Sequence, residues 1–307
     1  MVYNFIVNPN SGGGKGLKVW NRTRRYLNKC RADYEVYMTV GSGDAEKKAR
    51  ELTEGSTEEM CIIAIGGDGT VNEVFNGLSP NAQVVMGYIP SGSGNDLARG
   101  LGYKGSIRRY ITKIISDSYE DRMDYGVMSC AENDTIRRFM VSTGIGFDAA
   151  VCHLLLNSGA KDGAGRFALG NFAYLTAGIH EFFASRSSKG YVVLDGARKI
   201  EFNSILFISV HIHKTEGGGY KFAPDADPKD GMLDICVVST RNKFMLIPIL
   251  LRSKNGLKGG RGVHHFTCSE AKIHVDQPLA VHTDGESCRY QTDLDVRCIQ
   301  QQLRILR

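Results

Sequence analysis

At 307 residues the chain is long for one core and comfortable for two domains. It is 42% hydrophobic and 23% charged with a mean hydropathy of -0.21. That is a soluble globular composition, and no segment approaches the ~20 apolar residues that cross a bilayer. The net charge of +5 and pI of about 8.7 suit anionic phosphates or an anionic membrane surface. That charge is too weak by itself to indicate nucleic acid, and no zinc spacing or aromatic RNA-binding signature supports such a partner.

The N-terminus enters a strand-like run, Tyr3–Asn8, without the basic-then-apolar layout of a signal peptide. Eight cysteines, at 30, 61, 130, 152, 236, 268, 288 and 298, form no CxxC pair. Reduced thiols and a cytoplasmic location are expected.

Through residue ~122 strand-like and helix-like patterns alternate. Strands are expected at Tyr3–Asn8, Tyr34–Thr39, Met60–Ile65 and Val84–Ile89. Helices are expected at Leu17–Cys30, Asp44–Glu54, Val71–Leu78, Asp96–Leu101 and Ser106–Ser116. This order implies a mostly parallel sheet covered on both faces. Ligands bind such sheets beyond the carboxyl ends of the strands.

From 123 the apolar runs read as strands joined by turns: Met123–Ser129, Arg138–Thr143, Gly190–Asp195, Lys199–His213, Met232–Ser239, Lys272–Val275 and Leu279–His282. They predict an antiparallel sandwich over 123–294. Helical stretches at Ala149–Asn157, Phe167–Ala184 and Asn242–Leu251 interrupt it. A last strand, within ~295–307, returns to the first domain (1–122). No repeat is visible.

Three glycine-rich loops follow strands of the first domain. The first, Asn8–Gly16, lacks the P-loop pattern, which needs Gly where Pro9 stands and Ser or Thr where Gly16 stands. It reads equally as a phosphate cradle or an ordinary turn. The second, Gly66-Gly67-Asp68-Gly69-Thr70, joins a buried strand to a helix. Its glycines allow close backbone approach, the helix start offers N–H groups to an anion, and Asp68 adds a carboxylate. In the third, Pro90–Arg99, Ser93 offers a hydroxyl, and Asn95 or Asp96 is placed to cap the next helix.

These loops, in this order, resemble the diacylglycerol kinase catalytic family, specifically its bacterial soluble lipid kinases. The resemblance continues through Ser142–Ala149, Gly217–Gly219, Pro224–Asp234 and His282–Glu286. It implies a Rossmann-like α/β domain of the NAD kinase and diacylglycerol kinase type, followed by an antiparallel β-sandwich domain with inserted helices. It implies Glu286 as the general base that takes the proton of a lipid hydroxyl. It implies Asp68, supported by Asp96, as the anchor of Mg²⁺ and ATP. Residues Gly66, Gly67, Asp68, Gly69, Thr70, Val71 and Asn72 would hold the nucleotide phosphates, with Thr39, Ser93 and Asn95 adding contacts. Ser93 departs from the Thr common among relatives but keeps a hydroxyl. A second, structural Mg²⁺ would rest on Asp230 and the carbonyls of Asp227 and Met232, with Asp124 in its hydrogen-bond network. On residue pattern alone, Asp284-Gly285-Glu286 and Asp230-Gly231 read as turns.

The resemblance implies ATP and Mg²⁺ as cofactors and a membrane lipid, diacylglycerol or related, as substrate. An enzyme so employed would sit peripherally at the inner face of the membrane. Arg252–Arg261, after the apolar Phe244–Leu251, is a candidate docking loop or a solvated connection. Aromatics of Phe167–Phe183 read as core or as an acyl cleft. An exposed sandwich strand is open to homodimer pairing. His211 and His213 read as ordinary polar strand positions, and His264-His265 as a surface turn. Two alternatives stand beside the lipid kinase: a NAD kinase, which shares GGDGT, and a non-catalytic nucleotide- or lipid-binding regulator.

Overall fold

The computed structural model describes residues 2–103, 106–116, 120–130, 135–150 and 187–306. The expected helix over Phe167–Ala184, its aromatics, and most of that over Ala149–Asn157 lie outside the described residues. The chain divides into two compact units, Met1–Met123 with Gln301–Arg307, and Asp124–Gln300.

In the first unit, strands β1 (Tyr3–Val7), β2 (Tyr34–Met38), β3 (Met60–Gly66) and β4 (Val84–Pro90) pair in parallel in the order β2–β1–β3–β4. Residues 301–306 add a further parallel position beside β4, with Ile305 opposite Met86. In β3 every residue from Cys61 to Gly66 is buried, as an unbroken apolar strand covered on both faces requires. Helices α1 (Ser11–Cys30), α2 (Asp44–Thr53), α3 (Asp68–Gly77), α4 (Asp96–Gly100) and α5 (Ile107–Ser116) follow or flank the strands. One core gathers Phe5, Trp20, Leu27, Ile63 and Ile65 with Ile111, Ile114 and Leu306. Arg304 holds the last strand by a bidentate pair to Glu120, at 2.6 and 2.7 Å, and by Glu59.

The second unit is antiparallel. Its strands are β5 (Glu120–Cys130, entering from the first unit), β6 (Thr135–Phe139), β7 (Ser142–Gly146), β8 (Ser188–Leu194), β9 (Arg198–His211), β10 (Leu233–Ser239), β11 (Val263–Cys268), β12 (Glu270–Thr283) and β13 (Glu286–Leu306). Pairing follows β11–β10–β9–β7–β12–β13, while β8 joins β12 to β9. Strands β9 and β12 each change partner along their length, so the ladder closes round β7–β12–β8–β9. Long strands that pass between layers are how a sandwich-like unit is tied together. Alternate residues of β10 serve two cores. Ile235 and Val237 face the first, while Cys236 and Val238 face the second, which is closed by Leu246 and Ile249 of α6 (Leu246–Ser253).

Two strand expectations and one turn are corrected. Arg138–Thr143 is two strands, because the N–H groups of Met140 and Val141 turn to the Asp284 carboxylate instead of a ladder. Lys272–Val275 and Leu279–His282 are one strand, β12, with a register shift between His274 and Leu279 where Pro278 cannot donate. His264 and His265 lie in β11, opposite Val237 and Cys236, and are not a turn. That strand buries only its two ends, Val263 and Cys268, so its polar middle hid it.

Candidate active site

Three loops of the first unit lock onto one another at the carboxyl ends of β1, β3 and β4. Asn8 donates Nδ2–H to Thr70 Oγ1 at 3.0 Å, and its Oδ1 accepts the N–H groups of Asn10 and Ser11, both at 3.1 Å. The hydroxyls of Ser11 and Ser91 share a hydrogen bond of 2.6 Å. Ser91 N–H donates to Gly66 O at 2.7 Å. Gly12 sits at φ +56°, and a Cβ there would overlap the Ser91 carbonyl oxygen, so the first loop touches the third backbone to backbone. Positive φ at Gly12, Gly13 and Gly14 keeps this stretch out of regular helix.

Asp68 opens α3, and its Oδ1 accepts the Leu97 N–H at 3.3 Å, capping α4. Gly94 admits both acids. A Cβ there would stand 2.6 Å from Asp68 Oδ2 and 3.6 Å from Asp96 Oδ2, so the two oxygens flank one point. Asp96 also pairs with Arg99 at 2.8 Å. Burial raises the Tyr88 hydroxyl well above its ordinary pKa, and the charges of Asp68 and Asp96 push it further. Two carboxylate oxygens flanking one point are a hard oxygen set of the kind a divalent cation favours.

The remaining expected nucleotide contacts divide. Ser93 is exposed beside this point, and Gly67, Gly69 and Thr70 line the start of α3. Val71 and Asn72 bury their side chains, and the Val71 N–H already donates to Gly67 O, closing the first helical turn. Asn95 takes φ 54° and commits its amide to the loop, accepting from Gly92 N–H and Tyr88 and donating to Gly92 O. Thr39 is buried at the end of β2 with its N–H on Val7 O. The neighbouring start of α2 is capped by the chain itself: Glu73 accepts from the N–H groups of Gly43 (2.8 Å) and Ala45 (3.3 Å). Nothing in the spacing of Glu73 advertised that role.

In the second unit Glu286 begins β13, directly after a tight turn in which Asp284 (φ 48°) and Gly285 (φ 86°) both take left-handed backbone. The Asp284 carboxylate fastens this turn by accepting the N–H groups of Met140 (2.9 Å), Val141 (2.8 Å) and Ser142 (3.0 Å). Behind it lies a buried polar cluster that the sequence did not announce. His282 Nδ1 accepts the Gly285 N–H, and its Nε2 lies 3.4 Å from Asp148 Oδ2. Asp148, Glu216 and His282 bring ligand atoms within 4.8 Å of one another. His211, fully buried, stands with Nε2 3.8 Å from Glu216 and 3.0 Å from Ser209 Oγ. His211 ends β9 as an expected strand position, His213 lies two residues past it, and both are buried.

The acidic turn forms a third group. Asp124 is fully buried and accepts the Gly231 N–H at 2.7 Å. The exposed Asp230 accepts Met232 N–H at 2.9 Å, and Asp227 accepts Lys229 N–H at 3.1 Å. Burial first, then the charge of Asp230, pushes the Asp234 carboxyl up to about 6. The turn thus holds concentrated negative potential and carries carbonyl and carboxylate oxygens, which fits a hard divalent cation.

Comparison with known proteins places the chain in a family. It matches the diacylglycerol kinase catalytic domain over residues 3–128 and the YegS C-terminal NAD kinase beta sandwich-like domain over residues 141–307. The protein belongs to the diacylglycerol kinase-like family of lipid kinases and is a phosphotransferase. It is 29% identical over 293 residues to YtlR of Bacillus subtilis (strain 168), provisionally named a lipid kinase, with 92% of each chain covered. It is 25% identical over 284 residues to a diacylglycerol kinase of the same strain, covering 92% of this chain and 88% of that one. A crystal structure of a Bacillus anthracis (strain Sterne) protein, provisionally described as a diacylglycerol kinase, superposes with a TM-score of 0.75 at 23% identity, covering 99% of this chain and 94% of that one. At that identity the likeness shows the fold. Among the described residues no helix is long and apolar enough to cross a membrane.

Proposed function

We propose that this kinase transfers the γ-phosphate of ATP to the hydroxyl of a membrane lipid, diacylglycerol giving phosphatidic acid. The observation that carries the reading is the pairing of Asp68 and Asp96 across Gly94 at the mouth of three interlocked glycine loops. That group supplies what a phosphate donor needs: backbone N–H groups at the start of α3, close backbone approach, and carboxylate oxygens for a divalent cation. Mg²⁺, held by Asp68 with Asp96 in support, would neutralise charge on the transferring phosphate. Ser93, Thr39 and the stretch from Gly66 to Asn72 would contact the nucleotide, with Val71 and Asn72 acting through their backbone.

Glu286 takes the proton from the attacking hydroxyl. The Asp284 turn holds the base in place, and such a group is worth ~10²–10⁴-fold in rate. A second Mg²⁺ at Asp230 and the carbonyls of Asp227 and Met232, backed by Asp124, would brace the turn leading into β10. The enzyme works in the cytoplasm, peripherally at the inner face of the membrane.

The test is labelled ATP with mixed micelles of diacylglycerol, phosphatidylglycerol, sphingoid base and ceramide, with NAD in a parallel reaction. Label on diacylglycerol, lost when Mg²⁺ is chelated, is the expected result. Label on NAD alone overturns the reading.

A further inference from the structure

The surface around α6 carries no part of the chemistry above, yet it has an unusual make-up. A short 3-10 turn (Lys243–Met245) runs into α6. The inner face of α6, Leu246 and Ile249, is fully buried against the second core. Its other face is apolar as well. Phe244, Ile247 and Leu251 are 66%, 50% and 67% exposed, at spacings of three and four residues that place them on one side of the helix. A helix apolar on both sides is not explained by its own unit's core alone.

Charge supplies the second observation. Between Arg241 and Arg261 the chain carries six cations, Arg241, Lys243, Arg252, Lys254, Lys258 and Arg261, and not one carboxylate. Five of the six are exposed; Lys243 is half-buried. The loop after α6 is also held in shape: Arg252 Nη2 donates to Gly259 O at 2.7 Å, and Lys254 lies over the Tyr220 ring at 5.4 Å. The cations are thus presented beside the apolar stripe.

We infer that this face, the Ile247–Leu251 stripe with its cationic border, is the surface by which the protein docks on an anionic lipid bilayer. An apolar helix face that enters the headgroup boundary, bordered by Lys and Arg, is the physical signature of an interfacial helix. One carboxylate from outside the segment, Asp225, lies 4.0 Å from Lys258; the remaining cationic excess matches the negative potential of a leaflet holding anionic lipids. A second copy of this chain would instead bring six more cations against the first six. The inference extends the lipid kinase reading, since a bilayer-borne substrate requires such a surface, but its test does not depend on that reading.

The chain has one tryptophan, Trp20, which is buried in the first unit, so a tryptophan introduced in α6 reports separately. In Ile247→Trp, emission should shift to the blue on adding phosphatidylcholine–phosphatidylglycerol vesicles, be quenched by brominated acyl chains, and stay unchanged with phosphatidylcholine alone. Ile247→Ser with Leu251→Ser should lower cosedimentation with the anionic vesicles by about tenfold or more, and Lys254→Glu with Lys258→Glu should do the same. Both variants should phosphorylate a water-dispersed short-chain diacylglycerol at the wild-type rate. Emission from Ile247→Trp that does not respond to anionic vesicles, or wild-type cosedimentation in both pairs, overturns the docking surface. So does lipid-independent self-association that Ile247→Ser with Leu251→Ser abolishes. Vesicle binding that follows the pattern, in a protein that phosphorylates no lipid, leaves the surface standing and removes the kinase reading alone.

Discussion

His282 stands between the turn that presents Glu286 and the carboxylate of Asp148, accepting the Gly285 N–H on Nδ1 and placing Nε2 3.4 Å from Asp148 Oδ2. In the neutral ring Nδ1 accepts this bond and the proton sits on Nε2, facing Asp148; the charged ring gives up the Gly285 bond and keeps its pairing with Asp148. Burial by itself lowers the pKa of this histidine. The hydrogen bond and charge of Asp148, with Glu216 and Asp284 behind it, outweigh that, and the net shift is upward.

This pair sets a pH dependence of stability. The folded state holds the His282 proton above pH ~6.5, where the unfolded chain releases it. The contribution is complete below that pH and is lost as pH rises through the raised folded value. His211 behaves in the opposite sense. Burial drives it down to about 3, so its contribution is complete above ~6.5 and is lost as pH falls towards that value. Urea unfolding across pH 5 to 9 should show His282→Gln flattening the alkaline decline and His211→Asn flattening the acid one. Identical pH profiles in both variants and wild type contradict this assignment.

Glu286→Gln should lower turnover by ~10²–10⁴-fold while leaving ATP binding, measured by calorimetry, unchanged. Asp284→Ala should cost more than activity. It leaves three buried N–H groups without their acceptor, a loss of about 3 kcal/mol or more by denaturant unfolding. A stable Asp284→Ala enzyme with normal turnover would show that the turn does not position the base.

Gly94→Ala separates binding from folding. The backbone at 94 is not left-handed, so alanine adds only bulk, directed at Asp68 Oδ2. The expected result is a tenfold or greater loss of ATP affinity in the presence of Mg²⁺, with a shift in Tm of only a few degrees. Gly12→Ala should instead unfold readily, because it meets both an adverse φ of +56° and the Ser91 carbonyl oxygen.

Mg²⁺ should raise the Tm of the wild-type protein in the absence of nucleotide, and Asp230→Asn should abolish that rise. If the rise persists in the variant, the acidic turn does not hold the ion.

The alternating first domain was legible because its buried strands, such as Cys61–Gly66, are largely apolar runs followed by glycine-rich loops. The loops named the residues around Asp68 and Asp96 for the same reason. What stayed hidden were contacts made across long sequence separations. Asp284 reaches Met140 and Val141 and thereby splits a strand; Asp148 and Glu216 meet His282 from elements far apart in the chain. A polar residue's local spacing cannot show which distant backbone will satisfy it. His211 is the strand position expected, but its full burial was not legible from alternation, which gives the face and not whether that face is covered.

The last strand has a consequence for how the protein is made. Ile305 pairs with Met86, Leu306 joins the core of Phe5 and Trp20, and Arg304 neutralises Glu59 and Glu120. The glycine-loop unit therefore lacks the strand position beside β4 until residues 301–306 are made. A fragment ending at Met123 should fold poorly, and deleting residues 301–306 should damage the unit whose other strands are translated first.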